Sequence, residues 1–222
     1  MSKFYNNVPK TDKTIVLDLD NTLICSFDEK NMHDNDYYYN IDDFNLFHTD
    51  SYDHSYCMFS NGYILWGVKR PNLIIFLDFI FKYFENIIVW SAGEKTYVDQ
   101  ICKYIFQDNG FPCPKIIWAR DKCEKQGKYY HKPLRKLIEY TNSVNSPVKL
   151  DINKMIILDD RTYTFFDNVN NGILIPAYSP KIEIDSIFNN DNSLLQFCNW
   201  CLTPNVINAT SLIEISKTNI FI

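Results

Sequence analysis

The chain has 222 residues and a net charge of −5, with 46% hydrophobic and 16% aromatic residues, which suits one domain spanning 1–222 with a sizeable core and room for an insertion. The acidic balance argues against direct nucleic-acid binding, and no run of about eighteen apolar residues is present to span a membrane. The opening MSKFYNNVPKTDK lacks the apolar segment of a secretory signal, and seven cysteines without framework spacing point to reduced thiols in an intracellular protein, nuclear or cytoplasmic.

The first element is the stretch from Thr14 to Ile24, TIVLDLDNTLI. Ile15, Val16 and Leu17 form a short apolar run that reads as a buried parallel strand. Asp18 and Asp20 close it. Two carboxylates one residue apart repel each other, and burial disfavours both charges. A divalent cation relieves the pair, and hard oxygen ligands suit magnesium. Taken alone, the two aspartates also fit a solvated loop.

Residues 25–54 are polar and acidic, with no helical period. Tyr56 to Val68 alternates on both sides of Ser60-Asn61-Gly62, a strong hairpin signal. Residues 36–69 are therefore expected to form a small antiparallel insertion, with Tyr37 to Ile41 as its third strand. Lys69-Arg70-Pro71 ends it, and Pro71 fits the first turn of a helix. Leu73, Phe76, Leu77, Ile80 and Phe84 carry that helix onward at helical spacing. Ile87 to Trp90 reads as a second buried strand ending at Ser91-Ala92-Gly93. Glu94 to Gln107 follows as a helix, stopped at Asn109-Gly110.

Lys115 to Ala119 is a third strand, and Arg120-Asp121-Lys122-Cys123 leaves its end. A basic, tyrosine-containing loop reaches His131-Lys132-Pro133, and Leu134 to Tyr140 reads as a short helix. A polar loop, Asn142 to Asn153, precedes a fourth strand, Met155 to Leu158, which ends in Asp159 and Asp160. Ile173 to Ile175 is a fifth. In the tail, Leu194 to Leu202 reads as an apolar helix. Cys198 and Cys201 then belong to its buried face, since no second pair completes a zinc site. Ile220 to Ile222 is expected to dock.

Strands alternating with helices imply an α/β fold with a doubly wound, mostly parallel five-stranded sheet and right-handed crossovers. The ligand crevice of such a sheet lies beyond the carboxyl ends of its strands. Asp18, Asp20, Ser91, Arg120, Asp159 and Asp160 all fall there, and Lys132 can reach the same mouth. That set suits phosphoryl transfer. Asp18 would attack phosphorus, and Asp20 would serve as acid and then base. Lys132, Ser91 and nearby N–H groups would hold phosphoryl oxygens. Mg2+ would sit on Asp18, the main-chain carbonyl of Asp20 and Asp160, with support from Asp159.

DLDNTL resembles the first motif of the haloacid-dehalogenase-like phosphatases. With KRP before a helix, VWSAG, Arg-x-x-Cys ahead of Tyr-x-Lys, and ILDD, the set resembles the phosphatases of the RNA polymerase II carboxy-terminal tail and their small nuclear relatives, over roughly residues 12–202. The resemblance implies a magnesium-dependent phosphoserine/phosphothreonine protein phosphatase with a phospho-aspartate intermediate and a β insertion that grips an extended peptide. It makes Asp18 the nucleophile, Asp20 the acid/base, Ser91 and Lys132 phosphate ligands, and Asp18, Asp20, Asp159 and Asp160 the metal end. Thr22, Ala92, Arg120 and Tyr130 fall to substrate binding. The implied partner is a phosphorylated protein or peptide, with the polymerase tail as a first candidate. Ser91 stands where threonine is usual, and the second aspartate of ILDD replaces an asparagine. A small-molecule, nucleotide or polynucleotide-end phosphatase, or a phosphopeptide-binding module, remain the alternatives.

Overall fold

The structure, a computed structural model, describes residues 7–28, 55–60, 63–144, 146–179 and 191–222. Its central sheet is built from β1 (Thr14–Leu17), β5 (Asn86–Trp90), β6 (Ile116–Trp118), β9 (Met155–Asp159) and β10 (Gly172–Leu174). All pairings are parallel, and the order is β10-β9-β1-β5-β6. The first strand thus lies at the centre, where the strand order reverses and the crevice of a doubly wound sheet opens.

Strand alternation divides the apolar side chains between two cores. Ile15 and Leu17, Ile87 and Val89, and Ile156 and Leu158 face one side, against α1 (Leu73–Tyr83), α2 (Lys95–Ile105) and α4 (Ser193–Cys201). Val16, Ile88, Trp90, Met155 and Ile157 face the other, against α3 (Leu134–Ser143) and the 3-10 segment Thr162–Asn171. Gly172 opens β10 because the Phe165 ring packs onto it: a Cβ there would lie 2.2 Å from ring carbons. Cys198 and Cys201 are fully buried on α4, as core residues. At the carboxyl end Ile220 is buried, while Ile222 is 98% exposed. The short α5 (Pro204–Ile207) follows α4 and buries Val206.

A second sheet of β2 (Ile24–Asp28), β3 (Ser55–Ser60) and β4 (Tyr63–Lys69) is antiparallel in the order β2-β4-β3. Ser60 pairs with Tyr63, as a hairpin over two connecting residues requires. The expected turn Asn61-Gly62 and the expected strand Tyr37 to Ile41 lie outside the described residues. Among the described residues the sheet takes its first strand from Ile24–Asp28, ahead of the stretch read as an insertion. ICSFD is short and mixes polar with apolar residues, so no strand signal stands out, although Ile24 and Cys25 are buried.

Two further departures bear on the site. The α1 helix starts at Leu73, with Asn72 at its N-cap in the left-handed region (φ 65), so Pro71 precedes the helix rather than opening it. The basic stretch read as a loop forms a hairpin of β7 (Glu124–Gln126) and β8 (Tyr129–His131).

Candidate active site

The register of the central sheet assembles the site. Leu17 lies opposite Leu158, so Asp18 and Asp159 emerge side by side at the ends of β1 and β9. Both continue the parity of Val16 and Ile157, the face on which α3 packs. Lys132, two residues before α3, enters from that face and is fully buried. Its Nζ donates to Asp18 Oδ1 at 2.5 Å and to Asp159 Oδ2 at 2.6 Å. Asp18 and Asp159 are themselves 7% and 1% exposed.

Three carboxylates share this space with one ammonium. Oxygens of Asp18, Asp159 and Asp160 all lie within 4.8 Å of one another. Burial pushes the Asp18 carboxyl up to about 8; Lys132 opposes that rise and Asp159 adds to it. Burial and the Asp159 charge raise Asp160 as well. Burial disfavours the Lys132 ammonium, but Asp159 and Asp18 outweigh it and hold the lysine above its ordinary value. Asp160 Oδ1 is buried and has no hydrogen-bond partner among the described residues. A cluster with surplus negative charge and an orphaned buried carboxylate oxygen fits a hard divalent cation.

Asp20 lies apart from this cluster. Its Oδ1 accepts from the Tyr97 hydroxyl, and Tyr97 Oη is 2.5 Å from Ser26 Oγ. Burial raises the Asp20 carboxyl, and the two hydroxyls partly offset the rise. Two aspartates two residues apart therefore sit in different surroundings, one among charges and one between hydroxyls.

The loop that separates them is tightly held. Leu19 O accepts from the N–H groups of Thr22, Leu23 and Ile24 at 3.2, 2.8 and 3.2 Å. Asn21 takes the left-handed conformation (φ 58), which asparagine tolerates. Arg70, fully buried, donates to Thr22 O at 3.0 Å, to Pro176 O at 2.8 Å and to Asp191 Oδ2 at 2.8 Å. Tyr178 N–H donates to Asn21 O at 2.7 Å. The guanidinium thus fastens the Asp18–Asp20 loop to the segment after β10.

The remaining expected residues divide. Ser91, at the end of β5, is 1% exposed, and its Oγ accepts from Gly93 N–H at 3.0 Å. Arg120 Nε donates to Ala92 O at 2.7 Å, and its guanidinium lies over the Tyr130 ring at 5.6 Å, so these three residues form one rim. Thr22 is fully buried in the loop, with Oγ1 unpartnered among the described residues. Arg70, Asp191, Ser26 and Tyr97 were not singled out from the sequence. Arg70 stands in KRP, which marks a boundary and a family motif in the sequence without giving Arg70 a role, and the other contacts join residues far apart in the chain.

The cluster makes a prediction about stability. A carboxyl raised from 3.8 to about 8 binds more protons in the folded than in the unfolded chain across that interval. Its contribution is fully present below the unfolded value and is lost as pH rises through the folded one. Chelator-treated protein should therefore melt at a lower temperature at about pH 9 than at about pH 5, and added magnesium should raise the melting temperature more at the higher pH. Asp18→Asn should flatten that pH dependence. An unchanged slope in the variant would exclude Asp18 as its source.

A sequence model of the family described as NLI interacting factor-like phosphatase matches residues 13–203. The CTD phosphatase-like protein 355R of Invertebrate iridescent virus 6 is 27% identical over 150 residues, 67% of this chain and 76% of that protein. Among solved structures, the fission yeast RNA polymerase II CTD phosphatase Fcp1 bound to beryllium fluoride matches at a TM-score of 0.51 and 19% identity, over 76% of this chain and 42% of that one. Another Fcp1 structure matches at 0.54 and 17% identity, over 86% and 50%. The chain spans half or less of the Fcp1 chains, and the likeness to them shows the shared fold.

Proposed function

Because the chain belongs to the NLI interacting factor-like phosphatases, hydrolases of phosphoric monoesters, we propose that it is a magnesium-dependent phosphoserine/phosphothreonine protein phosphatase working through a phospho-aspartate at Asp18. The observation that carries this reading is the unlike surroundings of Asp18 and Asp20. One carboxylate lies against the buried Lys132 ammonium, as a nucleophile that must meet a phosphoryl group does. Burial raises both carboxyls, so the contrast lies in their partners: Asp20 is held by the Tyr97 hydroxyl, apart from the ammonium that binds Asp18, and from there can pass a proton to a leaving oxygen as a general acid does.

In the proposed reaction an Asp18 oxygen forms a bond to phosphorus as the bond from phosphorus to the seryl oxygen breaks. Asp20 gives its proton to that leaving oxygen. Water then attacks the phosphorus, Asp20 takes the proton back, and inorganic phosphate leaves Asp18 free. Lys132 neutralises phosphoryl oxygens in both steps, joined by Ser91 and main-chain N–H groups after β5. Asp18, the Asp20 carbonyl and Asp160 would hold Mg2+, with Asp159 keeping Lys132 in place; bound there, the ion supplies charge neutralisation at the phosphoryl group. Tyr97 and Ser26 keep the Asp20 carboxyl out of the acidic cluster. The Asp20 side chain is thereby left to proton transfer, while its main-chain carbonyl is the group offered to the metal.

Arg120 and Tyr130 form an open rim beside Ser91 and Ala92, and such a rim suits an extended peptide. A panel of phosphopeptides, polymerase tail repeats among them, with free phosphoserine, nucleotides, sugar phosphates and phosphorylated DNA ends tests the substrate class. Peptides should exceed free phosphoserine by at least about tenfold in kcat/KM, roughly 1.4 kcal/mol of transition-state binding. A nucleotide, a sugar phosphate or a DNA end that outperforms every peptide would replace the protein-phosphatase reading. No described helix is long and apolar enough to cross a membrane.

A further inference from the structure

The chain is acidic overall, yet residues 120–136 hold seven lysines and arginines against two carboxylates. The β7–β8 hairpin lies inside this stretch and runs directly into Lys132. Gln126 pairs with Tyr129, leaving Gly127 and Lys128 as the turn, and Gly127 takes the positive φ of 61 that such a loop needs at its first position. Lys128 is therefore at the tip, and Lys125 faces Tyr130 across the ladder.

The two carboxylates are already engaged. Glu124 accepts from Arg135 at 2.7 and 2.8 Å, and Asp121 pairs with Lys122 at 3.3 Å. Lys125 and Lys128 have no carboxylate partner among the described residues. Each lies over a ring instead: Lys125 Nζ is 5.8 Å from the Tyr130 centroid, and Lys128 Nζ is 5.4 Å from that of Tyr129. A ring face orients an ammonium without cancelling its charge, so both charges stay available to a ligand.

The rings also tie the hairpin to both sides of the site. Tyr130 meets Arg120, which is anchored on Ala92 beside Ser91. Tyr129 packs on Tyr163 with centroids 4.7 Å apart, and Tyr163 Oη accepts from Arg161, the neighbour of Asp160. The hairpin thus stands at the rim between the Ser91–Gly93 loop and the acidic cluster, with the Lys125 and Lys128 charges unpaired by carboxylates among the described residues.

We propose that this hairpin is an anion-reading arm: Lys125 and Lys128 take a second anionic group on the substrate peptide, so that a peptide with another phosphate or a carboxylate near the scissile phosphoserine is preferred. Lys125 lies opposite a residue two positions from Lys132, and Lys128 is four positions away. With about 3.3 Å per extended residue and the reach of a lysine side chain, the second group belongs about two to five residues from the phosphoserine. The inference rests on the protein-phosphatase reading and names the substrate feature that reading leaves open.

The test compares kcat/KM for three peptides of one sequence: singly phosphorylated, with a second phosphoserine three residues away, and with glutamate at that position. Hydrolysis of 4-nitrophenyl phosphate normalises each protein preparation. The wild-type protein should favour the doubly phosphorylated peptide over the single by about five- to tenfold and the glutamate peptide by less, with both preferences shrinking as salt is raised. In the Lys125→Ala/Lys128→Ala protein the ratios should fall to near one, and Lys125→Glu/Lys128→Glu should invert them. Equal rates on all three peptides in the wild type, or a preference that survives the double substitution, would overturn the arm. Hydrolysis of 4-nitrophenyl phosphate with no peptide accepted would overturn the protein-phosphatase reading and the arm with it.

Discussion

Asp18→Asn should lower turnover by about ten-thousandfold or more while the protein stays folded. An amide oxygen is a poor nucleophile toward phosphorus and forms no stable acyl phosphate, so the first bond of the proposed reaction is lost. The fold tolerates the change because Asp18 lies at the end of β1, beyond the apolar residues that face the two cores. Lys132 keeps Asp159 as a partner in the variant, so no buried ammonium is stranded. Circular dichroism and melting establish folding, and turnover of an aryl phosphate reads the loss. Activity within a few-fold of wild type in a folded variant would exclude covalent catalysis at this residue.

Lys132→Met should act on stability and rate together. Methionine fills much of the same volume but leaves Asp18 and Asp159 facing each other in a site where both are buried. Breaking a buried ion pair by deleting one partner costs about 3–5 kcal/mol. Part of that loss should return with magnesium, which supplies positive charge to the same carboxylates. The rate should fall by about 10²–10³-fold even with saturating metal, because the donor to the phosphoryl oxygens is gone. Chemical denaturation with chelator and with magnesium, alongside kcat, separates the two effects. A metal-free variant as stable as the wild type would contradict the charge balance assigned to the cluster.

The five strands of the central sheet were legible as short apolar runs; Ile15 to Leu17 and Met155 to Leu158 are continuous because β1 and β9 are buried on both faces, whereas edge strand β10 leaves Leu174 exposed. The carboxylates ending those runs were legible for the same reason: Asp18 and Asp159 break apolar segments whose register then sets them side by side. Strand β2 was not, since five residues of mixed polarity carry no period. Nor were β7 and β8, three residues each, exposed for the most part and formed by pairing rather than by burial. The Arg70–Asp191 clamp joins positions 121 residues apart, and Tyr97 reaches Asp20 from 77 residues away. Side-chain pairs of that kind depend on tertiary packing and leave no local pattern.

The most direct test of the central claim is capture of the covalent intermediate. Wild-type protein turning over an aryl phosphate or a phosphopeptide with magnesium is treated with hydroxylamine, which converts an acyl phosphate to a hydroxamate, and the product is mapped by peptide mass spectrometry. The expected result is a hydroxamate at Asp18, formed only while substrate is present and lost in Asp18→Asn. Modification confined to another residue, or none at all during sustained turnover, would contradict the mechanism.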